Sequence, residues 1–322
     1  MIYEKVLKEL LENPNGFSGE VLANRLKTSR NSVWKAVNRL RREGYIIDGS
    51  TNQGYRLSSE TNILNAEEVR AYLDPKITAR LEIHKTVNST NTRAKEIAEN
   101  EQTYLRRNLM DSIIVADSQS DGRGRKGRRF VSNAACGIYM SFLLHPAEQV
   151  REAVCITSAA AVAVAEAIEG LVRTDVKIKW VNDLLINGKK ICGILTEASM
   201  DFESGGLKYV VLGIGINVKH TDFPEEIAEI ASSIEDETQV ALSRNRLCAE
   251  IINSVYDMLT NEASYMDEYR RRSAVIGKRV RVIRGDETYD ATVEGIDGMG
   301  ELIVVRDGQT VKLNSGEISI RL

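Results

Sequence analysis

The sequence predicts a multidomain α+β protein, and three observations carry this prediction. The chain has 322 residues, enough for two or three domains. Its beginning shows mainly helical periodicity, its middle mixes strands with grouped helices, and its end alternates short β segments with Gly, Asp and Asn turns. Domain boundaries are expected to give residues 1–62, 63–275 and 276–322.

Composition limits the classes of function. Hydrophobic residues make up 43% and charged residues 28%, and no apolar run approaches the roughly 18 to 20 residues that cross a bilayer, which argues against disorder and membrane insertion. The amino terminus lacks the apolar core of a signal peptide, so we expect a cytoplasmic protein. Four unpaired cysteines and three scattered histidines indicate no transition-metal site.

Helical periodicity divides the first 43 residues into three helices. The first ends at Asn13–Gly16, and Ser18 and Thr28–Ser29 are placed as caps of the next two. A short helix, a tight turn and a basic third helix from Arg30 to about Glu43 form a helix-turn-helix. Two short β segments around Gly49–Gln53 then predict a hairpin, or wing. The residues expected to face inward in the third helix are Val33, Val37 and Leu40.

The charge distribution of this region fits contact with DNA. The whole chain has a net charge of -3, yet its first sixty residues hold ten basic and seven acidic side chains. Outward Arg, Lys and Asn on the helix after the turn are what phosphate contact and major-groove readout require. The residues predicted to bind DNA are Arg30, Asn31, Lys35, Asn38 and Arg39. The alternative is a small interaction module whose cations are only solvated.

The middle of the chain predicts a mixed sheet backed by helices. Strands are expected at 112–116, 137–144, 176–180 and 209–216, and helices at 90–99, 151–169 and 244 to about 271. Asn187-Gly188 between two apolar segments is typical of a two-residue β-hairpin. Beyond residue 277, five short β segments separated by turns predict a small β-barrel.

The segment Gly122–Arg129 carries the most distinctive chemistry. It matches the dinucleotide-binding pattern G-x-G-x-x-G, but it leads into a strand instead of a helix and contains five cations. Glycines that allow close approach of the backbone, together with arginines that keep their charge, suit a loop that closes over an anionic ligand. A mobile surface loop is the alternative.

Several weaker signals accompany this loop. Gln119 precedes it, Ser89–Asn91 begins a predicted helix, and Lys179–Asp183 ends a predicted strand before the hairpin that carries Lys190. Each is weak alone, because polar residues at strand ends and after hairpins are usually ordinary turns. Their combination indicates one ligand site.

At these residues the sequence resembles the biotin protein ligases, of the bifunctional type that also represses the biotin operon. The family's motifs match in order at Ser89–Asn91, Gln119–Arg128, Lys179–Asp183, Lys189–Leu195 and Gly213–Asn217. The resemblance covers essentially the whole chain. Three departures are a Phe at position 130 for the common Trp, a Val at 181 for Pro, and an Asn at 133 for Pro.

The resemblance implies a class II synthetase-like central domain, an SH3-like carboxy-terminal barrel and a two-step reaction. ATP and biotin would give biotinyl-5'-AMP, whose biotin passes to a lysine of the biotin carboxyl carrier protein. With biotinyl-AMP bound, the chain would form a homodimer on an inverted-repeat operator. The implied substrate-binding residues are Ser89, Thr90, Asn91, Gln119, Arg123, Gly124, Arg125, Arg128, Phe130, Lys190, Gly193, Gly213, Asn217 and Arg321.

The first step brings two anions together, so cations are needed where they meet. Arg123, Arg125 and Lys190 are the expected catalytic cations, with Mg²⁺ on the phosphates through ligands that the sequence does not identify. Asp183 is the candidate acceptor for the proton of the attacking amine, or else it holds a turn or a metal-bound water. A lipoate-type ligase and a non-enzymatic, metabolite-responsive repressor are the competing interpretations.

Overall fold

The computed structural model describes residues 1–49, 54–58, 61–100, 109–145, 153–200, 207–261, 265–284, 287–314 and 317–320. The chain divides into two compact units. The first unit comprises Met1–Leu73 with Ser243–Ala249, and the second comprises Asp74–Leu242 with Glu250–Leu322. The expected boundaries after residues 62 and 275 fall inside these units, so the three-domain division stays a prediction.

The first unit is a helix-turn-helix with a short hairpin, and the predicted third helix is confirmed with its inward face. Its elements are α1 (Ile2–Glu12), α2 (Gly19–Arg25), α3 (Arg30–Arg42), β1 (Ile47–Asp48), β2 (Arg56–Leu57) and α4 (Ala66–Ala71). The Ser18 and Ser29 hydroxyls cap α2 and α3 by accepting from backbone amides of the first turn. Val33, Val37 and Leu40 are fully buried in the core of this unit.

The second unit contains a seven-stranded mixed sheet. Its strands run in the order β3-β4-β5-β9-β8-β7-β6, and only the β3–β4 pair is parallel. The strands are β3 (Arg80–His84), β4 (Met110–Ala116), β5 (Gly137–Leu144), β6 (Lys177–Lys179), β7 (Asp183–Ile186), β8 (Lys189–Met200) and β9 (Leu207–Asn217). The helices are α5 (Thr90–Asn100), α6 (Ala153–Leu171), α7 (Glu225–Ala228), α8 (Ile234–Thr238), α9 (Arg244–Thr260), whose first turns belong to the first unit, and α10 (Met266–Arg271).

Local signals account for much of this sheet. The Asn187-Gly188 turn has positive φ at both residues, as a type I′ hairpin requires, and it joins β7 to β8 as predicted. The single helix predicted from 244 to about 271 is wrong, because two helices occupy that range. At the end of α9 the Thr260 hydroxyl donates to the carbonyl of Tyr256, and helical periodicity resumes only at Met266.

The carboxy-terminal part of the second unit is a five-stranded antiparallel sheet in the order β13-β12-β11-β10-β14. Its strands are β10 (Arg279–Arg284), β11 (Glu287–Ile296), β12 (Leu302–Arg306), β13 (Gln309–Leu313) and β14 (Glu317–Ile320), which confirms the five predicted β segments. The ladders of the described residues do not pair β13 with β14, so closure into an SH3-like barrel stays a prediction. The Trp180 indole donates to the carbonyl of Gly300 and joins this sheet to the larger one.

None of the helices in the described part of the chain has both the length and the apolar character to cross a membrane.

Candidate ligand-binding and active site

Two adjoining cavities lie in the second unit, at the ends of β7, β8 and β9. The smaller, of about 30 Å³, is lined by Ser89, Thr90, Asn91, Gln119 and Gly213, and we call it the polar cavity. The larger, of about 280 Å³, is lined by Arg125, Arg128, Lys179 and Lys190, and we call it the cationic cavity. Both are also lined by Arg123, Phe130, Gly193 and Leu195, so the two cavities meet at these residues.

Three glycines keep this junction open. Gly193 and Gly215 are opposite one another on β8 and β9, and the Phe130 ring lies over both. A Cβ atom would come within 2.6 Å of that ring at Gly215 and within 3.2 Å at Gly193. At Gly213 a Cβ would collide with the side-chain oxygen of Asn91. The Gly-x-Gly pattern of β9 therefore makes room for the side chains of Asn91 and Phe130, which line the polar cavity.

A chain of hydrogen bonds fixes the residues of the polar cavity. The Gln119 Oε1 atom accepts from the backbone amide of Thr90 at 2.8 Å and from its hydroxyl at 3.2 Å. The Gln119 amide donates to the Ser132 hydroxyl at 2.9 Å. Ser141 Oγ lies 2.7 Å from Thr90 Oγ1 and 2.6 Å from Asn91 Oδ1. The network leaves amide and hydroxyl groups beside the cavity that suit an uncharged polar ligand.

Sequence analysis missed a carboxylate behind this network. The Asn91 amide donates to Glu197 Oε2 at 2.8 Å, and Lys95 Nζ lies 2.6 Å from Glu197 Oε1. Burial opposes ionisation of Glu197, but the hydrogen bonds from Lys95 and Asn91 outweigh it and hold the pKa of this carboxyl below its ordinary value. Glu197 is therefore ionised at neutral pH. It lies 106 residues from Asn91, so no local spacing signals the contact.

The arginine loop is a narrow turn closed by its own backbone. Arg123 and Arg129 form an antiparallel bridge, and the amide of Gly124 donates to the carbonyl of Arg128 at 2.7 Å. Arg125 lines the cationic cavity, where its guanidinium donates to Asn182 Oδ1 at 3.2 Å. Arg129 donates to the carbonyl of Ser120 at 2.6 Å. The loop thus directs Arg125 into the cavity while Arg129 secures its own backbone.

Lys190, which also lines the cationic cavity, forms an ion pair with Asp183. Lys190 Nζ lies 2.6 Å from Asp183 Oδ1, and both side chains are about one-third exposed or less. Backbone hydrogen bonds from Lys190 to Ile230 and from Ser232 to Lys190 fix this strand end against the segment after β9. The pair thus gives the Asp183 carboxylate a cationic partner at the edge of the cavity.

An apolar wall, which sequence analysis did not predict, completes the cationic cavity. It consists of Phe223, Ile227, Ile230 and Ala231, with Trp180 nearby. Ile230 is 59% exposed. The segment lacks a strong periodic pattern because its helix, α7, has only four residues. Apolar side chains beside arginines and lysines suit a ligand with both a ring and phosphates.

The structure brings together nearly all the predicted ligand residues. Gly124, Asn217 and Asp183 line the cationic cavity with the residues named above. Arg321 lies outside the described residues. No group of three or more His, Cys, Asp or Glu side chains that could hold a metal ion occurs in the described ranges.

The predicted DNA-binding residues of the first unit divide into two sets. Arg30, Asn31 and Lys35 are exposed on α3 and Asn38 is half-buried. Arg39 is also half-buried, and its guanidinium lies 3.6 Å from the centre of the Tyr3 ring and 2.8 Å from Glu43. Trp34, which sequence analysis missed, is 53% exposed beside Lys35. Arg39 thus makes contacts within its own unit, and its contact with DNA stays a prediction.

Comparison with known proteins finds three family matches along the chain. Residues 83–217 match the Biotin/lipoate A/B protein ligase family, residues 3–56 match an HTH domain, and residues 275–321 match the Biotin protein ligase C terminal domain. The bifunctional ligase/repressor BirA of Bacillus subtilis is 32% identical over 311 residues, which cover 94% of this chain and 93% of that protein. The BirA of Escherichia coli is 28% identical over 321 residues, which cover 97% and 95%.

Comparison with solved structures also finds biotin protein ligases. The biotin protein ligase from Aquifex aeolicus in complex with biotin and ATP superposes with a TM-score of 0.63 at 26% identity, covering 75% of this chain and 98% of that one. A DNA-binding domain of the helix-turn-helix class and a ligase-type cavity therefore occur in one chain. The chain belongs to the biotin protein ligase family, as an enzyme of the bifunctional ligase/repressor type.

Proposed function

We propose that this chain joins biotin to ATP as biotinyl-5'-AMP and transfers the biotin to a lysine of a biotin carboxyl carrier protein. The observation that carries the proposal is the junction of the two cavities at Phe130 and Gly193. An uncharged ureido ring held in the polar cavity would place its carboxylate tail at this junction. ATP held in the cationic cavity would bring its α-phosphate to the same place.

The first step joins two anions, and the cations of the site lower its cost. A carboxylate oxygen of biotin attacks the α-phosphorus, the bond to the β-phosphate breaks, and pyrophosphate leaves. Two unit charges 4 Å apart repel by about 1 kcal/mol in water and by about 4 kcal/mol at an effective dielectric of 20. Arg123, Arg125 and Lys190 border the cationic cavity and would stabilise the developing charge on the phosphoryl oxygens.

The second step makes an amide. The ε-amine of the carrier lysine attacks the carbonyl carbon of the mixed anhydride, the bond to the phosphate oxygen breaks, and AMP leaves. The amine also loses a proton, for which Asp183 is the candidate acceptor because it lines the cationic cavity. Its ion pair with Lys190 favours the alternative that Asp183 holds this lysine in position.

Magnesium would enter the reaction bound to the phosphates of the nucleotide. The described residues offer no cluster of carboxylates for a protein-held ion, and the Asp183 carboxylate is paired with Lys190. These residues do not fit a dedicated Mg²⁺ site. Neutralisation by the protein therefore rests on Arg123, Arg125 and Lys190.

The helix-turn-helix extends the proposal to regulation. We propose that biotinyl-AMP acts as corepressor, favours a homodimer, and so places two copies of α3 on an inverted-repeat operator. One half-site per recognition helix is the usual geometry of such domains. Free carrier protein would compete for the dimer surface and return the chain to ligation.

Biotin-dependent exchange of labelled pyrophosphate into ATP tests the enzymatic proposal. We expect exchange with biotin and none with lipoate. Exchange with lipoate alone would indicate a lipoate-type ligase, and biotin binding without exchange would indicate a non-enzymatic sensor. Either result overturns the proposed reaction.

A further inference from the structure

Glu197 is a half-buried carboxylate directly behind the polar cavity. Its side chain is 27% exposed, and it projects from β8 toward α5. It accepts hydrogen bonds from the amide of Asn91 and the ammonium of Lys95, both on α5. Lys95 satisfies the charge of the carboxylate, and Asn91 connects it to the cavity.

A carboxylate accepts hydrogen bonds and cannot donate them when ionised. Glu197 therefore requires the NH₂ side of the Asn91 amide to face it. The Oδ1 atom of Asn91 is then turned to Ser141 and to the open face of Gly213, where it lies beside the polar cavity. The orientation of this amide follows from the charge on Glu197.

The other end of the network is fixed in the same way. The Ser132 hydroxyl donates to the carbonyl of Phe130 at 3.0 Å, and the Gln119 amide donates to Ser132. The Gln119 oxygen is thereby left to accept from Thr90. A backbone carbonyl at one end and a carboxylate at the other thus set which atoms of the cavity accept and which donate.

We propose that Glu197, held in place by Lys95, is a positioning residue that presents the Asn91 oxygen as an acceptor for an N–H group of the biotin ring. The inference rests on the proposed function, because biotin is the ligand that it concerns. It assigns recognition of a ureido N–H to a side chain, Glu197, that acts through Asn91.

Glu197→Gln tests this role, since the neutral amide has nearly the same shape but can either donate to or accept from Asn91. Both orientations of the Asn91 amide then become accessible. We expect the dissociation constant for biotin, measured by calorimetry on the full chain, to rise about tenfold, the scale of one hydrogen bond to a charged group. Lys95→Met should act in the same direction, and Lys95→Arg should retain binding.

The matched control is Glu82→Gln. Glu82 pairs with Arg93 of the same helix, at 3.1 Å, and is not among the residues that line either cavity. This variant likewise removes an ion pair between α5 and the sheet, and with it the contacts of Glu82 with Arg80 and His84. Biotin binding by this variant should equal that of the unmodified chain.

Ligand analogues separate positioning from a general structural effect. Desthiobiotin keeps both ureido N–H groups, so Glu197→Gln should weaken it by the same factor as biotin. Biotin can be methylated on either ureido nitrogen. The methylated form that lacks the N–H donating to Asn91 should lose less affinity on going from the unmodified chain to the variant than biotin does. Equal weakening of all four ligands, or no weakening of biotin, would overturn the inference.

If the unmodified chain itself binds no biotin, the proposed function fails instead. Should Glu197→Gln not fold, the same comparison with Lys95→Met decides the point.

Discussion

At the scale of residues, the absence of a Cβ atom at Gly215 leaves room for the Phe130 ring at the junction of the two cavities. Gly215 lies under the Phe130 ring, and Phe130 contacts Tyr139 edge-on with ring centroids 6.2 Å apart. A methyl group added at Gly215 would therefore have to push the ring out of its present position. Close packing makes such positions intolerant of even one added carbon.

Gly215→Ala should reduce the catalytic efficiency of adenylation at least tenfold. The added Cβ would approach the Phe130 ring to 2.6 Å and displace it from the junction of the cavities. Pyrophosphate exchange at varied biotin and ATP concentrations measures the effect. Gly170→Ala near the end of α6 is the control, because its added Cβ meets no described atom within 4 Å apart from its chain neighbours and the backbone of its own helix, and its activity should be unchanged. Equal activity of both variants would show that Phe130 does not shape the junction.

Asp183→Asn distinguishes the two roles of this residue. If Asp183 accepts the amine proton, the variant should form biotinyl-AMP at a normal rate and transfer biotin to the carrier at least tenfold more slowly. If it only holds Lys190, from which it lies 2.6 Å, both steps should slow because the lysine is displaced. We expect the second pattern. Single-turnover assays of adenylation and of transfer measure the two steps separately, and slow transfer with normal adenylation would contradict this expectation.

At the scale of elements, α3 uses its cations for two purposes. Lys35 is exposed, whereas Arg39 lies over Tyr3 of α1 and beside Glu43. Arg41 donates to the carbonyls of Ile47 and Gly49 and so ties the hairpin to the helix. Fewer cations of α3 are therefore free to contact DNA phosphates than the number of its basic residues indicates.

Lys35→Ala should consequently affect DNA binding, whereas Arg39→Ala should mainly affect stability. Loss of Lys35 should weaken operator binding and reduce the slope of log affinity against log salt by about 1, the value for one phosphate contact. Loss of Arg39 should mainly lower the midpoint of thermal unfolding, because its contacts lie within the first unit. Operator titrations at several salt concentrations and thermal melts measure both. A reduced salt slope for Arg39→Ala would contradict the division.

Helix α4 carries a carboxyl group with unusual pH dependence. Burial raises the pKa of Glu68 to about 7, and a hydrogen bond from Asn245, 2.7 Å away, only partly offsets this. Because the folded pKa exceeds the ordinary value of 4.5, the protonated form is favoured in the folded state. The associated stability is full below about pH 4.5 and is lost as the pH rises through 7.

Glu68→Gln should remove that loss. The variant should unfold at a higher temperature than the unmodified chain at pH 8, and the difference should shrink as the pH falls to 5. Thermal unfolding across this range measures it. Glu67→Gln, which changes the exposed neighbour in the same turn, should leave the pH profile unaltered. A constant difference between Glu68→Gln and the unmodified chain at all pH values would contradict the assignment.

At the scale of the whole molecule, one chain combines a DNA-binding unit and a ligase unit. The first sixty residues have ten basic and seven acidic side chains, a modest excess for a tight complex between one copy and DNA. Affinity for an operator would then depend on two copies binding together. Such coupling must be reciprocal, so a dimer favoured by ligand must also bind that ligand more tightly.

Biotinyl-AMP should therefore increase dimerisation and operator affinity together. Sedimentation with and without biotinyl-AMP, beside operator titration at the same concentrations, measures both effects. Biotin alone at equal concentration is the control, because it lacks the adenylate group that we propose to bind in the cationic cavity. Equal dimerisation in all three states would leave a ligase with an independent DNA-binding domain.

The sequence alone determined the features that depend on neighbours in the chain. The burial of Val33, Val37 and Leu40 follows from helical spacing, the Asn187-Gly188 hairpin follows from positive φ at two residues, and the arginine loop follows from a local cluster of glycine and charge. These are short-range properties. They can therefore be recognised from the order of residues along the chain.

Only the tertiary structure decided how distant residues share one site. Glu197 meets Asn91 across 106 residues, and Phe130 packs on Gly215 because the arginine loop returns over β9. The apolar wall from Phe223 to Ala231 has no recognisable sequence pattern. It joins the cavity because Ala231 pairs with Lys190 of β8. The sequence predicts that Arg39 contacts DNA, and the fold adds contacts of its guanidinium with the Tyr3 ring and the Glu43 carboxylate. Sheet pairing and core packing set these contacts, and neither is encoded in the local spacing of residue types.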